Sequence, residues 1–193
     1  MKLSPFKPSD SVLILGGGPI GLAVIQALRA QNCKQIIVSE ISGMRKEFAK
    51  EFGAHEVLDP SKEDIVQRCQ ELTGGPGVHI AFDAAGVQVG MDSAVKAIRA
   101  RGTLVNIAIW EKHAKIWPND FNFRERFYVG VATYQQGDFE EVLNAMSDGS
   151  LDMCGKMITK RIEIDQVLEE GFKTLINDKD NQVKILVRGS GET

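Results

Sequence analysis

Six residues, Gly16-Gly17-Gly18-Pro19-Ile20-Gly21, follow directly on the apolar run Val12-Leu13-Ile14-Leu15 and fit the spacing G-x-G-x-x-G. Between a strand and a helix, the first glycine turns the chain tightly. Gly18 then lets the backbone approach a pyrophosphate with no Cβ in the way, and Gly21 lets the helix lie close to the sheet. Pro19 and Ile20 open that helix, whose unpaired N–H groups present the positive end of its dipole to phosphate. Glu40 stands 22 residues after Gly18, at the end of the next apolar run, Ile36-Ile37-Val38-Ser39. A carboxylate there can accept hydrogen bonds from both hydroxyls of an adenosine ribose and repels a 2′-phosphate, so the pair predicts NAD rather than NADP. Arg45, five residues further on, is placed to pack near the adenine or ribose and to offset part of that repulsion.

These residues need a scaffold, and the rest of the chain supplies its pattern. Short apolar runs at 12–15, 35–40, 56–58, 78–84, 103–109 and 127–133 alternate with segments of helical periodicity at 20–30, 43–52, 62–72 and 90–100. Strands separated by helices of this length imply right-handed crossovers and a parallel sheet. The expectation is an α/β, doubly wound, six-stranded Rossmann sheet in the order 3-2-1-4-5-6, with helices on both faces. Ser61 with Asp64 and Asp138 with Glu141 have capping-box spacing, and Gly102 sits where a helix ending at Ala100 needs a left-handed cap. At the end of the fourth strand, Phe82-Asp83-Ala84-Ala85-Gly86 offers small residues beside the crevice, so Ala85 and Gly86 are expected to touch a cofactor. Topology places Ile107 and Ala108, after the fifth strand, near a nicotinamide carboxamide.

Composition narrows the function classes. With 193 residues, 43% hydrophobic and 25% charged, the chain reads as one globular domain. A net charge of −3 gives no excess to attract nucleic acid, and no stretch reaches the roughly 20 apolar residues of a membrane span, so a cytoplasmic protein is expected. Cys33, Cys69 and Cys154 are too far apart for a metal clip and are expected to be idle thiols. His55, His79 and His113 lack ligand spacing. Neither Tyr128 nor Tyr134 has a lysine four residues on, and no Gly-x-Ser-x-Gly occurs. Stand-alone dehydrogenase and hydrolase chemistry therefore have no visible seat.

Val12 through Ala23, Ser39-Glu40 followed by Arg45, and Phe82 through Gly86 together resemble the cofactor domain of zinc-dependent medium-chain alcohol dehydrogenases. Val105 through Glu111, Pro118-Asn119-Asp120, and Tyr134 with Gly137-Asp138-Phe139 are most similar to the (R,R)-2,3-butanediol dehydrogenase branch, with sorbitol dehydrogenase a cousin. The resemblance covers nearly the whole chain, 1–193, and implies that 157–187 form the family's closing helix and strand. It places Lys184 where a basic residue contacts the cofactor pyrophosphate. It also implies a homodimer joined through the edge strand 127–133. The family's zinc ligands lie in a preceding GroES-like catalytic domain that this chain lacks, so zinc belongs to the full-length family and no metal is expected here. In the intact enzyme, zinc polarises a secondary alcohol and hydride passes to NAD. This chain is expected to bind NAD with little or no dehydrogenase activity. Two other readings stay open: a free-standing NAD-responsive regulatory module, and a methyltransferase-like use of a related fold.

Overall fold

Strand β1, Ser11–Leu15, has no exposed residue along its length, and the computed structural model, which describes residues 2–189 and Gly191, builds both cores around it. Val12 and Ile14 face a first core with Leu22, Ile25 and Leu28 of α1 (Pro19–Ala30), Ala49 of α2 (Gly43–Glu51), and Phe52. Leu13 and Leu15 face a second core with Ile65 and Cys69 of α3 (Ile65–Thr73) and Met91, Ala94 and Val95 of α4 (Gln88–Ala97). A parallel strand covered on both faces reads as an unbroken apolar run because each face needs its own layer.

Around β1 lie β2 (Gln35–Ser39), β3 (Glu56–Leu58), β4 (Val78–Asp83), β5 (Ile98–Asn106) and β6 (Phe127–Gly130), all parallel, in the order β3-β2-β1-β4-β5-β6. The expected strand order is thus observed. A short helix α5 (Asn119–Asn122) precedes β6, and α6 (Asp138–Ser147) follows it. No helix among the described residues is long and apolar enough to cross a membrane.

The tail holds a helical stretch and a closing strand, and one strand more than expected. Strands β7 (Ile158–Glu163) and β8 (Lys184–Arg188) flank a helical stretch that ends in α7 (Lys173–Asn177), and they pair parallel in a second, two-stranded sheet. Val183 and Met157 pack this unit onto the first core.

Several local expectations are corrected. Helix α4 stops at Ala97, and the left-handed residue is Arg101 (φ 59°), inside β5 where its register with β4 shifts, not Gly102. Gly102 is needed for space instead, since a Cβ there would lie 2.2 Å from Ile98 Cγ2 and 2.8 Å from the His79 carbonyl. Asp64 alone caps α3, accepting from the Val66 and Gln67 amides, which delays the helix to Ile65; Ser61 donates to Asp59. Asp138 and Glu141 form no reciprocal cap. Both instead receive Lys2 Nζ at 2.7 Å, tying the N-terminal segment to α6. Strand β6 ends at Gly130, and Thr133 takes a left-handed φ of 57° that leaves the extended path.

Two histidines cap the amino edge of the sheet. His79 Nδ1 accepts from the Ser11 amide at 3.1 Å, and His55 Nδ1 accepts from the Ile36 amide at 2.9 Å. A ring nitrogen that accepts is unprotonated, so the His79 cap requires neutral imidazole. Burial, and then Arg99, push the His79 pKa below its ordinary 6.5; Lys34 acts in the same sense, whereas Asp10 opposes it. A lowered folded-state pKa means the unfolded chain takes up the proton first. His79 therefore contributes fully above pH 6.5 and loses that contribution as the pH falls below it. We predict that thermal midpoints fall between pH 6.5 and 5 in the wild type. The fall should be shallower in His79→Asn, which keeps an acceptor near Nδ1 but cannot titrate; parallel pH curves would contradict this role.

Candidate functional site

The carboxyl ends of β1, β2, β4 and β5 converge on one crevice, where the strand order reverses and crossovers leave on opposite faces. Gly16 turns the chain there with φ +91° and donates its amide to the Ser39 carbonyl at 2.9 Å. A Cβ on Gly21 would stand 1.9 Å from the Gly16 carbonyl oxygen. The close approach that requires glycine at 21 is thus to the turn itself, more than to the sheet. Gly18 is the helix N-cap, Pro19 occupies the first turn, Ile20 is half exposed, and that turn holds no acidic side chain. Above Gly18 the space is open: a Cβ would meet only Arg45 Nη1, 3.9 Å away.

Glu40 is 6% exposed, and its carboxylate organises the turn. Oε2 accepts from the Gly17 amide at 2.7 Å, and Oε1 accepts from Ile41 and Ser42 at 2.7 and 2.8 Å. A carboxylate has about four acceptor sites, and these three bonds leave the open one on Oε2. The sequence reading expected Glu40 to accept from two ribose hydroxyls. Gly17 is the glycine that reading passed over. A Cβ at 17 would lie 3.2 Å from the Arg45 carbonyl and 3.3 Å from Glu40 Oε2, and the run of three glycines was its signal. Ser42 caps α2 by accepting from the Arg45 amide, which sets the guanidinium beside the glycine turn.

On the β4 side, Ala84 donates to the Leu15 carbonyl, and a Cβ on Gly16 would lie 3.4 Å from Ala85 Cβ. Gly86, at φ +66°, is packed against Ala108 and Trp110. The Ile107 and Ala108 amides both donate to the Asp83 carbonyl. The structure therefore brings Gly16, Gly18, Pro19, Gly21, Glu40, Arg45, Ala85, Gly86, Ile107 and Ala108 around one crevice. Lys184 lies in the tail. It is exposed on β8, opposite Ile158, and among the described residues no hydrogen bond or ion pair ties it to the turn.

An open recess of about 400 Å³, lined by Trp110, His113 and Tyr128 among others, adjoins the Gly86 loop. A second, of about 310 Å³, lies at the opposite edge of the sheet beside His55 and His79. Burial pushes the Cys69 thiol up to about 12 and raises those of Cys33 and Cys154, so none has the lowered pKa of an activated thiolate. Among the described residues no three His, Cys, Asp or Glu side chains converge to hold a metal. These residues do not fit a zinc ion.

Residues 19–148 match the family model described as zinc-binding dehydrogenase. The (R,R)-butanediol dehydrogenase of Bacillus subtilis is 42% identical over 189 residues, covering 97% of this chain and 53% of the relative. The (R,R)-butanediol dehydrogenase of Saccharomyces cerevisiae is 37% identical over 193 residues, covering 97% and 50%. The crystal structure of the 2R,3R-butanediol dehydrogenase from B. subtilis superposes with a TM-score of 0.89 at 41% identity, covering 97% of this chain and 53% of that one. A zinc-binding dehydrogenase from Sinorhizobium meliloti 1021, solved bound to NADP, superposes with a TM-score of 0.82 at 26% identity, covering 96% and 54%. The chain spans about half the length of the relatives it matches.

The site's own bonds carry a prediction that needs no ligand. Glu40→Ala leaves three amides without their acceptor and is expected to lower stability in urea by at least about 1–3 kcal/mol, with Glu40→Gln losing less. Gly21→Ala, forced against backbone, is expected to lose at least about 1–3 kcal/mol. Unchanged urea midpoints would contradict the arrangement.

Proposed function

Because the chain belongs to the zinc-binding dehydrogenase family, we propose that the crevice beside Gly16–Gly21 is the nicotinamide-dinucleotide site of an alcohol dehydrogenase. The observation that carries this reading is the open space over Gly18, bordered by the α1 amino terminus and by the buried Glu40 carboxylate. The pyrophosphate lies on the amides of α1, whose first turn carries no acidic side chain. Glu40 Oε2 accepts from the adenosine ribose, and the loops at Ala85–Gly86 and Ile107–Ala108 border the nicotinamide end. When bound, the dinucleotide supplies the hydride acceptor. These residues orient it, and no step through zinc is assigned to them.

The preferred cofactor is NAD. A 2′-phosphate would meet the Glu40 carboxylate, which three backbone bonds hold in place. Arg45 lies close enough to the turn to contact the adenosine phosphate or to soften that repulsion. The substrate of the whole protein is a secondary alcohol of the butanediol type, supported by the two butanediol dehydrogenases at 42% and 37% identity. The reducing cytoplasm suits three free cysteines.

Strand β6 is the open edge of the sheet, and Phe127 and Tyr128 on it are 59% and 44% exposed. An unblunted edge of this kind invites pairing with a second copy, and the chain is proposed to form a homodimer there.

Two measurements test these readings. In calorimetric titration, NADH should bind at least about tenfold more tightly than NADPH, and Glu40→Ala should narrow the gap; preference for NADPH would mean that Arg45 outweighs Glu40. In sedimentation equilibrium at micromolar concentration, the wild type should have the mass of two chains and Phe127→Lys that of one. A wild-type mass of one chain would remove the dimer.

A further inference from the structure

Asp83, the last residue of β4, is fully buried, an environment that a carboxylate rarely occupies without a task. Its Oδ1 accepts from the amides of Ala85 and Gly86 at 3.0 and 2.9 Å, closing the loop after β4. Its own carbonyl accepts from Ile107 and Ala108, both at 3.0 Å, closing the loop after β5. One residue therefore holds both loops that border the proposed nicotinamide end. The loops also touch each other. A Cβ added at Gly86 would lie 3.2 Å from Ala108 Cβ, and the φ of +66° at Gly86 is one that an L side chain rarely adopts. Oδ2 of Asp83 is buried with no hydrogen-bond partner among the described residues. The carboxylate is therefore committed to the loop through one oxygen, and the surrounding backbone fixes its position.

We propose that Asp83 is the positioning residue for the nicotinamide end of the cofactor, a role that rests on the dinucleotide reading above. It touches neither phosphate nor adenosine. Those belong to the Gly16–Gly21 turn and to Glu40, on the opposite side of β1. The division of labour follows from topology, because β2 and β4 flank β1 and each ends in a buried acid that gathers the amides of its own loop. Loss of the Asp83 carboxylate should free the loop at 85–86 while leaving the adenosine half intact. Asparagine should substitute well, since its amide oxygen can take the place of Oδ1.

The test compares NADH with ADP-ribose, which lacks the nicotinamide, by calorimetric titration of the wild type, Asp83→Ala, Asp83→Asn and Gly86→Ala. Melting curves report whether each variant folds. In Asp83→Ala, NADH affinity should fall about tenfold, roughly the value of one charge-assisted bond. ADP-ribose affinity should stay within about twofold, and Asp83→Asn should recover most of the NADH affinity. If Asp83→Ala does not fold, Gly86→Ala decides, with the same selective loss expected. Equal losses for NADH and ADP-ribose, or no loss for either, would overturn the positioning role. A wild type that binds neither compound would overturn the dinucleotide reading itself, and the assignment of Asp83 with it.

Discussion

The hydrogen bond from the Gly17 amide to the buried Glu40 carboxylate joins the end of β1 to the end of β2 and fixes the shape of the turn between them. With that carboxylate in place, position 17 is tight for any side chain, and Gly16 leaves the strand at positive φ. The Gly16 carbonyl then lies where a Cβ on Gly21 would stand, so α1 can start only on glycine at that point. Three glycines and one acid thus form a single unit. Each is required by the geometry of the others as well as by any ligand. Hydrogen bonds to a charged acceptor contribute about 1.5–3 kcal/mol each, so the unit is self-supporting before a cofactor arrives.

A second buried acid repeats this device on the other side of β1. Asp83 ends β4 as Glu40 follows β2, and each gathers the free amides that a parallel sheet leaves at its carboxyl edge. Parallel strands end on the same side of the sheet, so unpaired backbone amides gather there and need acceptors. Short acidic side chains at those ends satisfy the amides and leave the crevice floor rigid. The proposed recognition surface is therefore mostly backbone, held in place by two carboxylates. A binding surface already made in the free chain gives up less entropy on association.

Much of this was legible in the sequence because the decisive signals were local. The run Val12–Leu15, the spacing of Gly16, Gly18 and Gly21, and the distance to Glu40 fix a strand, a turn and a second strand with little ambiguity. Other features depend on partners distant in the chain. The bond from Lys2 to Asp138 and Glu141 displaced a capping box that spacing alone suggested. The capping of β1 by His79 links residues 68 apart. The pairing of β7 with β8 has no local periodicity to announce it, and so the tail was read as one helix and one strand. Lys184 was assigned by likeness alone, and its place on β8 gives that assignment no support. Asp83 carried a readable sign, an aspartate before two alanines and a glycine, which is the composition of a turn closed by its own side chain. Its burial and its second set of bonds were visible only in three dimensions.

The most direct test of the central claim follows the glycine amides by nuclear magnetic resonance in a chain labelled with ¹⁵N-glycine, titrated with NADH. The account predicts saturable shifts at Gly16, Gly17, Gly18, Gly21 and Gly86, with little change at Gly74, Gly137 and Gly149, which lie outside the crevice. Shifts confined to the second group, or none at saturating NADH, would contradict the account.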